Sequence, residues 1–268
     1  MNTQEIDRSN KDIEDIISLG ADIAGGVIST SVGFLFAGPA GALLSAAYGP
    51  ILSDAIKDAC LDIKDRFLAP REKIRVGAAT AYAIMEIKHN IDNGITIRED
   101  DFFTKDISNR SKADEILEGV LIKSKNDHEE KKIRYYGNLF ANIAFAPHID
   151  AGMANALLNI AERLTYQQII LIGIFGRQGK FTVRDTPYAG AKTIPASILS
   201  LINEMFMLAR ENIIKIKAPD GKRQIVLDLG QVNPASIELD LIGINLYSLM
   251  DLDTIPLEDT LRIVELLK

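Results

Sequence analysis

The sequence predicts a mainly α-helical protein with two parts, an N-terminal helical domain containing a Gly/Ala-rich helical hairpin and a winged-helix-like α+β module. Apolar residues recur at three- and four-residue spacing along most of the chain, which is typical of amphipathic helices. No charged residue occurs between Ile23 and Ser53, where small residues repeat at every fourth position. After Lys180, short β-rich runs alternate with helical patterns. We therefore expect domains at residues 1–163 and 164–268.

The N-terminal hairpin is defined by its small residues and by Pro39. Proline disfavours a continuous helix, so we expect a bend between two helical legs. These legs contain about fifteen and about fourteen uncharged residues, whereas a membrane-spanning helix needs roughly 20. A constitutive transmembrane helix is therefore not expected. The repeating small residues predict a close helix-packing or membrane-insertion face made of Gly25, Ser29, Gly33, Ala37, Gly41, Ser45 and Gly49.

The helices that follow the hairpin have recognisable ends. Asn93-Gly94 is a C-terminal stop signal for a helix that begins near Pro70. A second helix covers residues 111–125. We expect a third to begin with Asn126 and Glu129 in capping-box register, and Asp150 to start a fourth.

The second domain begins with a helix that has its own capping box. Thr165 and Gln168 are spaced for reciprocal hydrogen bonds at its first turn. A strand at residues 180–183, a helix at 193–212 and a β-hairpin around the turn Pro219-Asp220-Gly221 follow. This order of helix, strand, helix and two-stranded wing predicts a winged-helix-like module. Two more helices, at residues 234–251 and 256–267, are expected to complete the chain.

Composition limits the compartment and the partners. The net charge of −7 argues against a protein that mainly coats nucleic acid. A single cysteine, Cys60, excludes an internal disulfide and fits a reducing cytoplasm. The first twenty residues are polar and acidic, unlike a signal peptide. We expect a cytoplasmic protein, peripheral to the inner membrane only if the hairpin is activated.

The sequence contains no recognisable catalytic or cofactor motif. His89, His128 and His148 lack metal-ligand spacing, and the glycine-rich stretch lacks the lysine of a phosphate-binding loop. We therefore expect a non-enzymatic protein with no cofactor and no metal.

Two groups of charged residues have alternative interpretations. Residues 126–136 are the densest polar cluster, and we favour a solvated first helical turn over a site built on His128 and Glu129. Asp114, Glu115 and Glu118 form either a carboxylate cluster or an exposed helix face.

The predicted winged helix raises the question of DNA contact. Its recognition helix has apolar side chains and few cations, whereas readers of the major groove use cationic and amide side chains. Protein packing is therefore favoured over DNA binding. If nucleic acid is bound, the contacts are expected from the basic group of the wing, Lys215, Lys217, Lys222 and Arg223.

Two segments resemble a known bacterial family. Residues 113–147 combine a charged helix with the small and aromatic run YYGNLFAN, and residues 157–175 contain LTYQQIIL at the start of the C-terminal module. Over roughly residues 40–176 the chain resembles the Abi-alpha type of proteins, which are linked to abortive phage infection. The resemblance implies a role in phage defence and no catalytic residues.

Two functions from different classes remain open. In the first, a non-enzymatic defence protein acts by association with itself or a protein partner, and its hairpin either stays packed or inserts into a membrane on activation. In the second, a soluble winged-helix regulator or adaptor binds DNA or a protein partner.

Overall fold

A computed structural model describes residues 69–177, 179–188, 194–218 and 229–268, and over these residues the protein is mainly α-helical. The described helices and strands are α1 Pro70–Asp92, α2 Lys112–Asn126, α3 Ile133–Ile143, α4 Ala151–Arg163, α5 Tyr166–Gly176, α6 Ala196–Arg210, β1 Ile214–Ile216, β2 Ile237–Leu239, α7 Leu241–Leu249 and α8 Leu257–Leu266. Short 3₁₀ turns lie at Asp101–Phe103, Glu130–Lys132, Leu229–Gln231, Pro234–Ser236 and Leu252–Thr254. The predicted Gly/Ala-rich hairpin lies outside the described residues.

The chain separates into two compact units. The first ends at Glu162 and the second runs from Arg163 to Lys268. From sequence, the boundary was expected between residues 163 and 164.

Helix α1 has clear chemical signals at both ends. Pro70 is its first residue, where a missing N–H costs no helical hydrogen bond. The Glu72 carboxylate accepts a hydrogen bond from the backbone N–H of Ala69 at 2.9 Å. The stop predicted at Asn93-Gly94 is confirmed, because Gly94 adopts a φ of +75° just beyond the helix.

The core of the first unit is the crossing of α1 and α3. Tyr135, Tyr136, Leu139, Phe140 and Ile143 of α3 are buried. At Gly137 the two backbones approach so closely that an added Cβ would lie 2.6 Å from the carbonyl oxygen of Ala79. Small side chains therefore permit this crossing.

Helices α2 and α4 complete the described part of the first unit. In α2, the Ser111 hydroxyl accepts from the Asp114 N–H at 3.1 Å and the Asp114 carboxylate accepts from the Ser111 N–H at 2.7 Å. The predicted start of α4 at Asp150 is confirmed by a bond of 2.7 Å from the N–H of Met153.

The helix start predicted at Asn126 is wrong. Asn126 is the last residue of α2, and a 3₁₀ turn at Glu130–Lys132 precedes α3. The local reason is Asp127, whose carboxylate accepts from the N–H of Glu129 at 2.9 Å and so stabilises a turn between the two helices.

Helix α5 is the centre of the second unit. Tyr166 and the seven consecutive residues from Ile169 to Phe175 are buried within it, because α6, α7, α8 and β2 all pack against it. The predicted capping box is confirmed: Thr165 Oγ1 accepts from the N–H of Gln168 at 3.1 Å, and Gln168 Oε1 accepts from the N–H of Thr165 at 3.0 Å.

The sheet of the second unit joins distant parts of the chain. Strand β1 pairs antiparallel with β2, with Lys215 opposite Glu238. The helix predicted at residues 234–251 is therefore wrong in its first part, which forms a 3₁₀ turn and β2 before α7 begins. The strand predicted at residues 180–183 is not formed. The predicted turn at Pro219-Asp220-Gly221 lies outside the described residues.

Candidate functional site

Only part of the predicted site falls within the described structure. The small-residue face from Gly25 to Gly49 lies outside it, as do Lys222 and Arg223 of the basic group. Lys215 lies in β1 and Lys217 follows that strand directly. Of the predicted site residues, Lys215 and Lys217 therefore lie within the described structure.

Lys215 and Lys217 share one carboxylate. Lys217 Nζ lies 2.5 Å from Glu238 Oε1, and Lys215 Nζ lies 3.8 Å from Glu238 Oε2. Glu238 stands opposite Lys215 in the β1–β2 ladder, so the pairing follows from the strand register. The charge of one lysine is therefore compensated locally, which weakens this pair as a phosphate-binding surface.

Helix α6 directs a nearly uncharged face outward. Its buried face consists of Leu201, Ile202, Met205 and Leu208. On the opposite face Leu199 is 45% exposed and Met207 is 41% exposed. The exposed positions along this outward face are Ala196, Leu199, Ser200, Asn203, Met207 and Arg210. One cation among six side chains is a composition that suits contact with protein better than contact with phosphate.

The polar segment 126–136 contains a buried ion pair instead of a fully solvated helical turn. Lys132 Nζ lies 2.7 Å from Asp127 Oδ2, and the exposed fractions of the two side chains are 3% and 7%. Tyr136 donates its phenolic hydrogen to the same oxygen at 2.5 Å. Lys132 also donates to the carbonyl oxygen of Glu162 at 3.0 Å, which ties the end of α4 to α3.

The surroundings of this cluster shift the pKa of Asp127 and of Tyr136. Burial opposes ionisation of Asp127, but hydrogen bonds from Lys132 and Tyr136 outweigh burial and hold the pKa of Asp127 below its ordinary value. Burial, followed by the bond to Asp127, raises the pKa of the Tyr136 phenol, which therefore stays protonated. These side chains lie inside the unit and bond to other groups of the protein. The cluster therefore holds the segment before α3 to the end of α4.

The carboxylates at the start of α2 are also engaged within the fold. Asp114 is buried and caps the helix, as described above. Glu115 accepts from Asn155 Nδ2 at 3.0 Å, and Glu118 pairs with Arg110 at 2.5 Å. Within the described part of the chain, no three His, Cys, Asp or Glu residues are grouped closely enough to hold a metal ion.

A cleft of about 400 Å³ opens at the C-terminal end of α5 in the second unit. Apolar side chains such as Ile174, Phe181 and Ile237 line it, together with Arg177, Lys217 and Glu238. Only 7% of the Arg177 side chain is exposed, and its guanidinium carbon lies 5.1 Å from the centre of the Phe181 ring. The cleft thus combines a mixed polar and apolar lining with a buried cation.

Sequence reasoning missed Arg177 as a candidate site residue. Its residue type and its position after α5 are visible in the sequence, but a lone arginine at the end of a helix is ordinary. Its partners in the cleft come from residues 181–183 and 234–238, which are far apart in the chain.

Comparison with known proteins gives no assignment, since no family model, curated protein or solved structure matches the chain. In the described part of the chain, no helix has both the length and the apolar character required to span a bilayer.

Proposed function

We propose that this chain is a non-enzymatic bacterial phage-defence protein of the abortive-infection kind, acting by protein–protein association. The resemblance of residues 113–147 and 157–175 to Abi-alpha proteins supports the biological setting. In the described structure these segments supply much of the helical core, including α3 and α5. Their buried side chains form part of the core. This is consistent with a protein that acts by contacts between its surface and a partner.

The observation that carries the proposal is the outward face of α6. Leu199 and Met207 are two turns apart on this face, and both remain substantially exposed. Arg210 is its one cation among the six exposed positions, with its guanidinium carbon 6.0 Å from the centre of the Phe206 ring. Burying such side chains against a partner gives a hydrophobic gain with little desolvation of charge.

The experiment that tests this proposal replaces both apolar side chains by charge. Leu199→Asp combined with Met207→Asp should abolish protection of expressing bacteria against phage, measured as plaque counts, and reduce assembly measured by sedimentation velocity. Two aspartates on this face would have to be desolvated on association. Leu199→Met with Met207→Leu is the matched control and should behave as the wild type.

Two results would contradict the proposal. One is wild-type protein that protects against no phage of a broad panel. The other is the double aspartate variant protecting and assembling as well as the wild type while remaining folded.

The alternative is a winged-helix regulator that binds DNA. The placement of Lys215 and Lys217 directly after α6 favours it, because a recognition helix followed by a basic strand is the arrangement of such modules. Alanine at Lys215, Lys217, Lys222 and Arg223 should then weaken binding to a DNA duplex, measured by fluorescence anisotropy, and reduce its salt dependence. Unchanged or absent binding excludes this function for the basic group.

A further inference from the structure

We propose that the cleft beside Arg177 binds a small organic carboxylate that carries an apolar body. The carboxylate would be received by the guanidinium of Arg177, and the apolar body would lie against Phe181 and Ile237. This inference goes beyond the proposed function and does not depend on it.

Within the described residues, the Arg177 guanidinium has acceptors for some of its N–H groups and none for Nη1. A guanidinium has five N–H donors. Nε donates to the carbonyl oxygen of Gly173 at 2.9 Å, and Nη2 donates to Thr260 Oγ1 at 3.1 Å. Over the described residues Nη1 has no acceptor, and the nearest carboxylate, Asp253, is 4.0 Å from Nε. Nη1 is therefore a donor that an acceptor entering the cleft can use.

The charged side chains that line the cleft carry an excess of positive charge. Arg177 and Lys180 share Asp253, with Lys180 Nζ at 3.5 Å from its Oδ1. Lys215 and Lys217 share Glu238 in the same way. Of these residues, Arg177, Lys217 and Glu238 line the cleft itself, so two cations face one carboxylate there, which favours an anionic ligand.

The residues that line the cleft favour one kind of anion over others. Apolar groups of Ile174, Phe175 and Val183 lie beside the cation, and the volume of about 400 Å³ is within the range of small-molecule sites. The planar guanidinium matches the two oxygens of a carboxylate. A monoanion with a hydrocarbon body uses both features, whereas inorganic phosphate uses only the charge. A free organic acid and the carboxyl terminus of a peptide share this chemistry.

The proposal is tested by calorimetric titration of the full chain. The probes are 4-phenylbutyrate, its neutral counterpart 4-phenylbutanol, the tripeptide Ala-Ala-Phe as free acid and as C-terminal amide, and inorganic phosphate. We expect at least one carboxylate to bind at least tenfold more tightly than its neutral counterpart. If 4-phenylbutyrate binds more tightly than Ala-Ala-Phe, the ligand is a free organic acid. The reverse order indicates the carboxyl terminus of a peptide.

Two variants connect binding to this cleft. Thr182 lines the cleft and is exposed, so Thr182→Trp should block the cleft without removing a buried contact and should weaken binding at least tenfold. Thr186→Trp, exposed in the same segment but outside the lining, is the matched control and should bind as the wild type. Arg177→Lys keeps the charge but loses the planar fork, and should reduce the preference for the carboxylate over its neutral counterpart.

Arg177 also donates hydrogen bonds to Gly173 and Thr260, so thermal unfolding is used to check that Arg177→Lys is folded. If Arg177→Lys is unfolded, the result for Thr182→Trp alone tests the proposal. The proposal is overturned if neither carboxylate binds at millimolar concentration, if phosphate binds more tightly than both, or if Thr182→Trp binds as well as the wild type.

Discussion

At the scale of single residues, Lys132 brings a charge into the interior of the first unit. Its ammonium group contacts the Asp127 carboxylate, which also accepts the Tyr136 hydroxyl. A buried ion pair adds little net stability compared with apolar residues, but removing one partner leaves the other charge unpaired. The consequence of a substitution therefore depends on which charge is left behind.

Lys132→Met should lower the free energy of unfolding by about 3–5 kcal/mol, because it leaves the Asp127 carboxylate without its cation. Tyr136→Phe should cost about 1.5–3 kcal/mol, the usual contribution of a hydrogen bond to a charged group. Adding Asp127→Asn to Lys132→Met should recover part of the loss. Urea unfolding followed by circular dichroism measures these variants and Asp127→Asn alone, and a loss for the double variant equal to the sum of the two single losses would show that the charges are not coupled.

The same pair predicts a dependence of stability on acid. The pKa of Asp127 is lower in the folded protein than its unfolded value of about 3.9. Its contribution to stability is therefore complete above that value and is lost as the pH falls through the folded pKa. Between neutral pH and pH 3, Asp127→Asn should lose less stability than the wild type in the same urea assay, and parallel losses would contradict the assignment.

At the scale of elements, the crossing of α1 and α3 depends on the absence of a side chain at Gly137. A Cβ there would lie 2.6 Å from Ala79 O and 2.9 Å from Ala83 N, so the backbone of α1 would have to move. Gly119 in α2 offers a useful contrast, since its Cβ would meet only Leu158 Cδ2, at 3.0 Å. The two glycines therefore separate the packing effect from the helix propensity.

Gly137→Ala should destabilise the protein by about 1–3 kcal/mol, the usual cost of overpacking. Alanine favours a helix by about 1 kcal/mol over glycine, so the observed loss is what remains after that gain. Gly119→Ala is the matched control and should be close to neutral, because a leucine methyl can move aside. Thermal unfolding of both variants provides the measurement, and equal midpoints would refute the requirement for glycine at this crossing.

At the scale of the whole molecule, we propose that the uncharged segment contributes to the defence activity together with the surface of the second unit. The segment between Ile23 and Ser53 lies in a chain whose net charge is −7, so its lack of charge is a local property. The predicted hairpin either stays packed or inserts into a membrane on activation, and insertion has its own test.

Gly33→Leu combined with Gly41→Leu should abolish cell toxicity and release of dye from anionic liposomes, because bulky side chains prevent close approach of helices. Ala42→Leu adds the same side chain outside the four-residue repeat and should retain both activities. Leakage is measured with purified protein at neutral and mildly acidic pH. Leakage by the double variant equal to that of the wild type would refute the packing face, and absence of wild-type leakage would refute insertion.

Helix ends were predictable where one or two neighbouring residues decide them. Gly94, Asp150 and the Thr165–Gln168 capping box act through hydrogen bonds or dihedral angles within a single turn. The Asn126–Glu129 capping box failed because Asp127 offers a competing turn whose carboxylate is held by Lys132 and Tyr136. A capping pattern is thus informative only when no tertiary contact competes with it.

The β2 strand was missed for a different reason. The pattern at Ile237–Leu239 is buried, intermediate, buried, but three residues are too few to distinguish a strand from the start of a helix. What makes it a strand is the pairing of Lys215 with Glu238, more than twenty positions away in the sequence. The same pairing compensates the charge of one of the two lysines considered for nucleic-acid contact.

The sequence by itself determined the mainly helical class and the caps named above, because helix periodicity and capping are local properties. It also defined the small-residue repeat of the predicted hairpin as a pattern, since spacing is visible without a structure. Only the tertiary structure decided which charges are compensated, which face of α6 remains exposed and which residues enclose the cleft beside Arg177. These features depend on contacts between residues that are distant in the chain, and a one-dimensional pattern does not record such contacts.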